Sequence, residues 1–309
     1  MQIVAKSILD DLGTELERTG LKTSRNSMTL VVSQEHFSTQ LEIVAPEIDD
    51  STMGPIKCVI QISTDLPDDW ARTIIEDRKF EALMNRMASL GALTFDGDRV
   101  FVGSRLTIFE SYEAWNIQAP LTLMALISAA NSMFRATAKA AEGHKSEVQE
   151  CAWQKKDFKQ IEKILADQCV CTSGKLGFTA EFGLRPEEVS AIAGDNRTAL
   201  WRIEGDVPHP ALGGGLFSML QLPHRVADTS RLAEVLRQLN RLEMQAQPLP
   251  PHFGAWCVGK LGGNPAYVSF LPNSLHDAAP GIAVNMTTWA SARAQWANIT
   301  LASMGITLP

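Results

Sequence analysis

Three groups of residues have types and spacings from which chemistry can be built. Gly254-Ala255-Trp256-Cys257-Val258-Gly259-Lys260 has the spacing of a phosphate-binding loop as far as its lysine. The next residue is Leu261, where such a loop needs a Ser or Thr hydroxyl on Mg²⁺. Gly262-Gly263-Asn264-Pro265 follows, so no helix starts cleanly there to turn its first amides toward phosphate. Trp256 and Val258 suit a strand, and the segment is expected to be one side of a glycine-rich hairpin. Cys169-Val170-Cys171 places two thiols on one face of an extended stretch, which is half of a thiolate metal site. The histidines (His36, His144, His209, His224, His252, His276) are isolated, with no i,i+4 pair and no cysteine at zinc-ligand spacing. No Gly-x-Ser-x-Gly elbow occurs. The acid pairs Asp49-Asp50, Asp68-Asp69 and Glu187-Glu188 fall in loops or at helix starts, where they serve solvation and helix dipoles. The expectation is a chain with no catalytic residue, no cofactor and no metal.

The elements that would position these residues come in a repeated order. An amphipathic helix over residues 3–20 (Val4, Ile8, Leu12, Leu16) has its counterpart in Phe158, Ile161, Ile164 and Leu165. Strands over 28–32, 37–44 and 56–62 answer to strands over 178–182, 199–204 and 216–222. Leu66-Pro67 and Leu222-Pro223 close the third strand of each set. A middle helix over 73–90 carries Leu83-Met84-x-x-Met87-x-x-Leu90, echoed by Val235-Leu236-x-x-Leu239-x-x-Leu242 in a helix over 229–244. Hairpins follow over 94–102, where Asp96-Gly97 is a tight-turn signal, and over 255–270. Closing helices run over 120–141, with Pro120 in the first turn, and over 282–304. Residues 144–156 read as a charged linker. The fold class is therefore α+β, as two tandem α-β-β-β-α-β-β-α domains, 1–147 and a divergent copy, 148–309, stacked as a pseudo-dimer.

Composition agrees with this and excludes some functions. A chain of 309 residues is long enough for two cores. A formal charge of −7 disfavours binding to nucleic-acid phosphate. No apolar run reaches the roughly 18 residues of a membrane span. The best, residues 121–134, is broken by Thr122, Ser128 and Asn131. The first residues meet Asp10, Asp11 and Glu15 too soon for a signal peptide. Five scattered cysteines argue for a reducing compartment. The expected address is the cytoplasm.

The run Ile62-Ser63-Thr64-Asp65-Leu66-Pro67, the helix bearing Leu83-Met84-Asn85, and the hairpin Ala92-Leu93-Thr94-Phe95-Asp96-Gly97-Asp98-Arg99-Val100 resemble the type III secretion chaperone-like fold, which includes the YbjN-type family of bacterial regulators. Leu239-Asn240 falls in the corresponding helix of the second half. The resemblance covers nearly the whole chain, once per half. It implies an acidic, non-enzymatic protein that holds an unfolded or extended polypeptide, with the two copies replacing a homodimer. Secretion chaperones are about half as long as this chain, and the loops of its second half are long. Leu121, Leu123, Met124, Leu126 and Ile127 wrap most of the way round their helix, and Trp289 and Trp296 lie seven apart on one helical face. Burial in the core is the first reading of such residues, and an external partner surface is the second, with Leu123, Met124, Ile127, Trp256, Trp289 and Trp296 as its candidates. The alternative is an enzyme or small-molecule sensor with its site between the halves, under lids formed by the proline-glycine loops.

Overall fold

A computed structural model describes the chain except residues 1, 27, 35–36, 45–49, 52–53, 88–89, 111–121, 143–150, 168, 185–196, 247–250, 253 and 260–262, and gives the backbone alone for 2–6, 50–51, 78–79, 140–141 and 276–280. The first half runs α1 (Gln2–Arg18), β1 (Lys22–Asn26), β2 (Thr29–Ser33), β3 (Ser38–Val44), β4 (Asp50–Ser51), β5 (Gly54–Asp65), α2 (Asp68–Glu76), α3 (Arg78–Arg86), β6 (Ala92–Asp96), β7 (Arg99–Phe109) and α4 (Ala129–Ala141). Residues 122–127 are also helical, set off from α4 by a turn at Ser128. The second half runs α5 (Lys155–Leu165), β8 (Val170–Ser173), β9 (Gly177–Gly183), β10 (Thr198–His209), β11 (Gly213–Gln221), α6 (Thr229–Gln245), β12 (Ala255–Val258), β13 (Pro265–Pro272), a 3-10 turn (Asn273–Ala278) and α7 (Ala279–Ser303).

Both sheets are antiparallel and share one strand order. The first reads β1-β2-β3-β5-β7-β6, with the short β4 beside β5, and the second reads β8-β9-β10-β11-β13-β12. The registers match as well as the order. Leu41 faces Ile62, which faces Ser104; in the second sheet Ile203 faces Ser218, which faces Ser269. Carried to the strand ends, this equivalence sets Leu66-Pro67 on Leu222-Pro223. The fold is thus α+β in two halves of like topology. The pattern predicts neither outer strand, β1 or β8, nor the two-residue β4 of the first half. Lys22-Thr-Ser-Arg-Asn and Val170-Cys-Thr-Ser show little apolar alternation, so periodicity passes over them.

Alternation does its expected work elsewhere. Thr39, Leu41 and Ile43 of β3 are buried, and so are Ala199, Trp201 and Ile203 of β10. The helix expected over 73–90 is instead two, starting at Asp68 and broken at Asp77, whose extended backbone (φ −118, ψ 97) ends α2. The break lets Trp70 of α2 pack against Phe80 of α3 (5.3 Å) and Phe134 of α4 (3.8 Å). The start of the second half is tied down by Asp206, in a bulge of β10, where its φ of 54 is left-handed. Its carboxylate accepts hydrogen bonds from the amides of Ala152 (2.9 Å) and Trp153 (3.3 Å) and from Asn273 Nδ2 (2.9 Å).

The halves meet at their inner edges. β6 and β12 touch, and each middle helix packs on the penultimate strand of the other half, α3 on β12 and α6 on β6. Each surface therefore meets its own counterpart, as in a twofold dimer. The buried apolar residues of both halves form one cluster.

Candidate functional site

Two asparagines anchor the inner edges, one in each Leu-Asn segment of the middle helices. Asn85 Oδ1 accepts from Leu93 N (2.9 Å), and Asn240 Oδ1 accepts from Trp256 N (2.7 Å) while its Nδ2 donates to Trp256 O (3.1 Å). Leu93 and Trp256 are each the second residue of their strand. Asn240 is fully buried and Asn85 nearly so, so each side chain must find partners.

Beside this seam lies a buried set of charges. Arg293 Nε donates to Glu243 Oε1 (2.6 Å), Trp256 Nε1 donates to Glu243 Oε2 (2.6 Å), and Arg293 also donates to Pro251 O (2.8 Å). The Arg293 guanidinium stacks on the Tyr267 ring at 4.0 Å. Arg105, from the first half, donates to Ala246 O, and its backbone pairs both ways with His252 (2.9 and 2.8 Å). Burial alone would raise the Glu243 carboxyl, but Arg293, His252 and the hydrogen bonds hold it below its usual range. Burial lowers Arg105 to about 10 and His252 to about 4, in both cases against the attraction of Glu243. His252 is therefore neutral near pH 7, its Nδ1 lies 3.2 Å from Met244 Sδ, and its Nε2 meets no partner among the described residues. Both Glu243 oxygens are occupied within the second half, and Arg105 ties the group to the first half through Ala246 and His252.

A second tie crosses the seam. Arg237 of α6 forks onto Glu81 of α3 (3.2 and 2.5 Å) and covers the Phe95 ring at 4.2 Å.

Apart from the exposed Cys151, the remaining described thiols and histidines are engaged in packing. Burial raises the thiols of Cys58 and Cys169 to about 11 and Cys257 to about 12, and also raises Cys171. These thiols stay protonated at neutral pH and are poor nucleophiles. His209 bonds Met87 O (3.3 Å) and packs on Phe270. His224 is buried, and burial lowers its pKa. No group of three or more metal-ligating His, Cys, Asp or Glu occurs among the described residues. Residues 255–258 form strand β12, as the hairpin reading expects, and a Cβ on Gly254 would meet Val268 O at 2.4 Å. Lys260, Leu261, His36, His144, Asp49, Glu187, Glu188, Pro120 and Leu121 lie outside the described residues. No described helix is long and apolar enough to cross a membrane.

Of the six candidate partner residues, Leu123 (3% exposed), Ile127 (1%), Trp256 (0%) and Trp289 (1%) are core. The described apolar residues of the closing helices are mostly buried in the core, with Ile299 of α7 exposed. Met124 and Trp296 are half-buried against the same core. A recess between the halves, lined by Gln40, Glu42, Gln61, Arg99, Arg241 and Gln245 among others, holds about 200 Å³, less than the few hundred Å³ usual for a small-molecule site.

The outer sheet edges are where the halves differ most. α1 runs over the first edge and α5 over the second, with Leu9, Leu12 and Leu16 placed like Phe158, Ile161 and Leu165. Strand pairing sets Lys22 of β1 on Val170 of β8 and Arg25 on Ser173. Arg25 ion-pairs with Asp10 (3.0 Å) and Glu17 (3.6 Å) of α1, lying across Gly13. At the second edge Glu162 stands where Gly13 does, and accepts from Ser173 Oγ. β8 carries no charged residue and no proline, and Val170 is 76% exposed. The Gly174 amide donates inward to Gly177 O (2.7 Å), so by antiparallel alternation the backbone groups of Cys171 and Ser173 point away from the sheet. Around the β8–β9 turn an open recess of about 530 Å³ is lined by residues 172–179, Arg202 and Glu204. Sequence reading missed this edge. The one signal available was the absence of charge in Cys169-Val170-Cys171-Thr172-Ser173.

No protein-family model matches the chain, and neither does any curated protein or any solved structure.

Proposed function

We propose that this protein binds a polypeptide, without catalysis, by adding an extended segment of its partner to β8. The observation that carries the reading is an outer strand whose backbone groups at Cys171 and Ser173 point outward with no charge or proline to repel a further strand. Strand addition draws affinity from backbone hydrogen bonds and selectivity from nearby pockets, and the recess beside the β8–β9 turn is such a pocket. The chaperone-like resemblance of the sequence points to the same class of partner. The duplicated seam gives one chain what a homodimer of single copies would have, a pseudo-dimer. A reducing cytoplasm suits its five unpaired cysteines.

The test is hydrogen exchange with a panel of short strand-forming peptides. Binding slows exchange at the amides of Cys171 and Ser173, and Val170→Lys abolishes both the binding and the protection. Peptides that bind while protecting some other surface would overturn the reading.

A further inference from the structure

The helix beside the open edge carries four lysines against two acids. Lys155, Lys156, Lys159 and Lys163 of α5 are all exposed, in a chain of net charge −7. None of the four makes an ion pair with a described residue. Of the acids on this helix, Asp157 is used in the N-terminal capping box and Glu162 is bonded to Ser173. Asp167 lies just past its end.

The lysines share one flank. Phe158, Ile161 and Leu165 face the core, and Glu162 reaches β8. Stepping round from Glu162, at about 100° per residue, come Lys155, Lys159, Lys163 and Lys156. The opposite side abuts α7, so the lysine flank overhangs the open side of β8. Two of the four also break a local rule. Lys155 and Lys156 occupy the first turn, where the helix dipole disfavours cations. Among the described residues nothing offsets this, and local rules broken without an offset are expected at functional sites.

We propose that the segment added to β8 is acidic, its carboxylates lying against the lysine flank of α5. This rests on the strand-addition reading and names the chemistry of the partner. A nucleic acid or a membrane surface fits less well. Neither uses the outward amides of Cys171 and Ser173.

The experiment follows fluorescein-labelled peptides of alternating Val-Glu, Val-Ser and Val-Lys by anisotropy. At low salt Val-Glu binds about fivefold tighter than Val-Ser, and Val-Lys more weakly than either. The differences shrink at high salt. Lys159→Glu with Lys163→Glu reverses the order but leaves Val-Ser binding intact, whereas Val170→Lys removes Val-Ser binding. Equal affinity for all three peptides overturns the acidic preference and leaves strand addition standing. No binding of Val-Ser, or Val-Ser binding untouched by Val170→Lys, sinks strand addition itself. Tighter capture of phosphatidylglycerol vesicles or single-stranded oligonucleotide than of Val-Glu assigns the lysines to another partner and overturns the proposal.

Discussion

One topology, built twice, ends in two different edges. At the first, Arg25 lies over Gly13 and binds Asp10 and Glu17, so the charges of β1 and α1 cancel within the protein. At the second, Val170 and Ser173 occupy the places of Lys22 and Arg25, and the helix turns from acidic to basic: Lys159 stands where Asp10 does, Lys163 where Thr14 does. The first edge has the charges with which proteins blunt unpaired strands. The second lacks them, and the lysines of its helix make no ion pair with a described residue. The two halves thus share a scaffold and differ at its outer ends.

The comparison requires that the halves stay locked at the seam, and the largest effects are expected there. Removing one partner of a buried ion pair strands the other, so Glu243→Ala should cost about 3–5 kcal/mol in urea unfolding. A cost under about 1 kcal/mol would mean that Arg293 reaches water and that the pair is not closed off from it.

Acid should loosen the same seam. Unfolded His252 takes a proton near its ordinary value of 6.5, and the folded residue resists until about 4. Between those values the unfolded chain binds more protons. Stability that is whole above the upper value is therefore lost as pH falls toward the lower, by at most about 3 kcal/mol from this residue. His209, His224 and Glu243, all lowered, act with the same sign. Urea melts across this range should show the fall, and His252→Asn should flatten it. A profile unchanged by His252→Asn would place the acid response elsewhere.

Smaller effects test whether the halves are equivalent at their inner edges. Asn85→Ala and Asn240→Ala each leave a strand amide without its acceptor, at about 1–3 kcal/mol. Asn240 makes two bonds to Trp256 and Asn85 one to Leu93, so Asn240→Ala should be the more damaging in matched denaturant curves. The reverse order would mean that the first half contributes more to holding the seam.

These residues also show what the sequence could and could not reveal. Leu66-Pro67 and Leu222-Pro223 fall at one register, and the Leu-Asn segments sit in equivalent helices, so the repeat was legible from local matches. The job of the asparagines was not, because a single polar residue in an amphipathic helix looks solvated until the strand above it is known. The sequence did not single out Arg105, Glu243 or Arg293 either, though Arg105 interrupts the run from Val100 to Phe109. The strands β1 and β8 left no periodic trace, being short and half open to water. The tryptophans and the apolar helix before α4 left core and partner surface both open, since a sequence cannot say what covers a helix on its second side, and four of the six candidates are core.

The smallest change in stability should sharpen the comparison most. Lys22→Val, Arg25→Ser and Gly13→Glu together rebuild the first edge in the image of the second. Gly13 and Arg25 must change as a pair, because a Cβ on Gly13 would meet the Arg25 guanidinium at 2.6 Å. With the arginine replaced the space opens, and the introduced glutamate reaches the introduced serine as Glu162 reaches Ser173. The loss of exposed pairs, under about 1 kcal/mol, is offset by replacing a helical glycine, worth up to about 1 kcal/mol, so the melting curve should hardly move. Binding should move. With α1 still acidic, the rebuilt edge accepts the neutral Val-Ser peptide and rejects Val-Glu, and the stoichiometry for Val-Ser rises from one to two per chain while that for Val-Glu stays at one. A stoichiometry that stays at one for Val-Ser in the correctly folded triple variant would mean that the charges of β1 are not what closes it, and the contrast between the two edges would lose its cause.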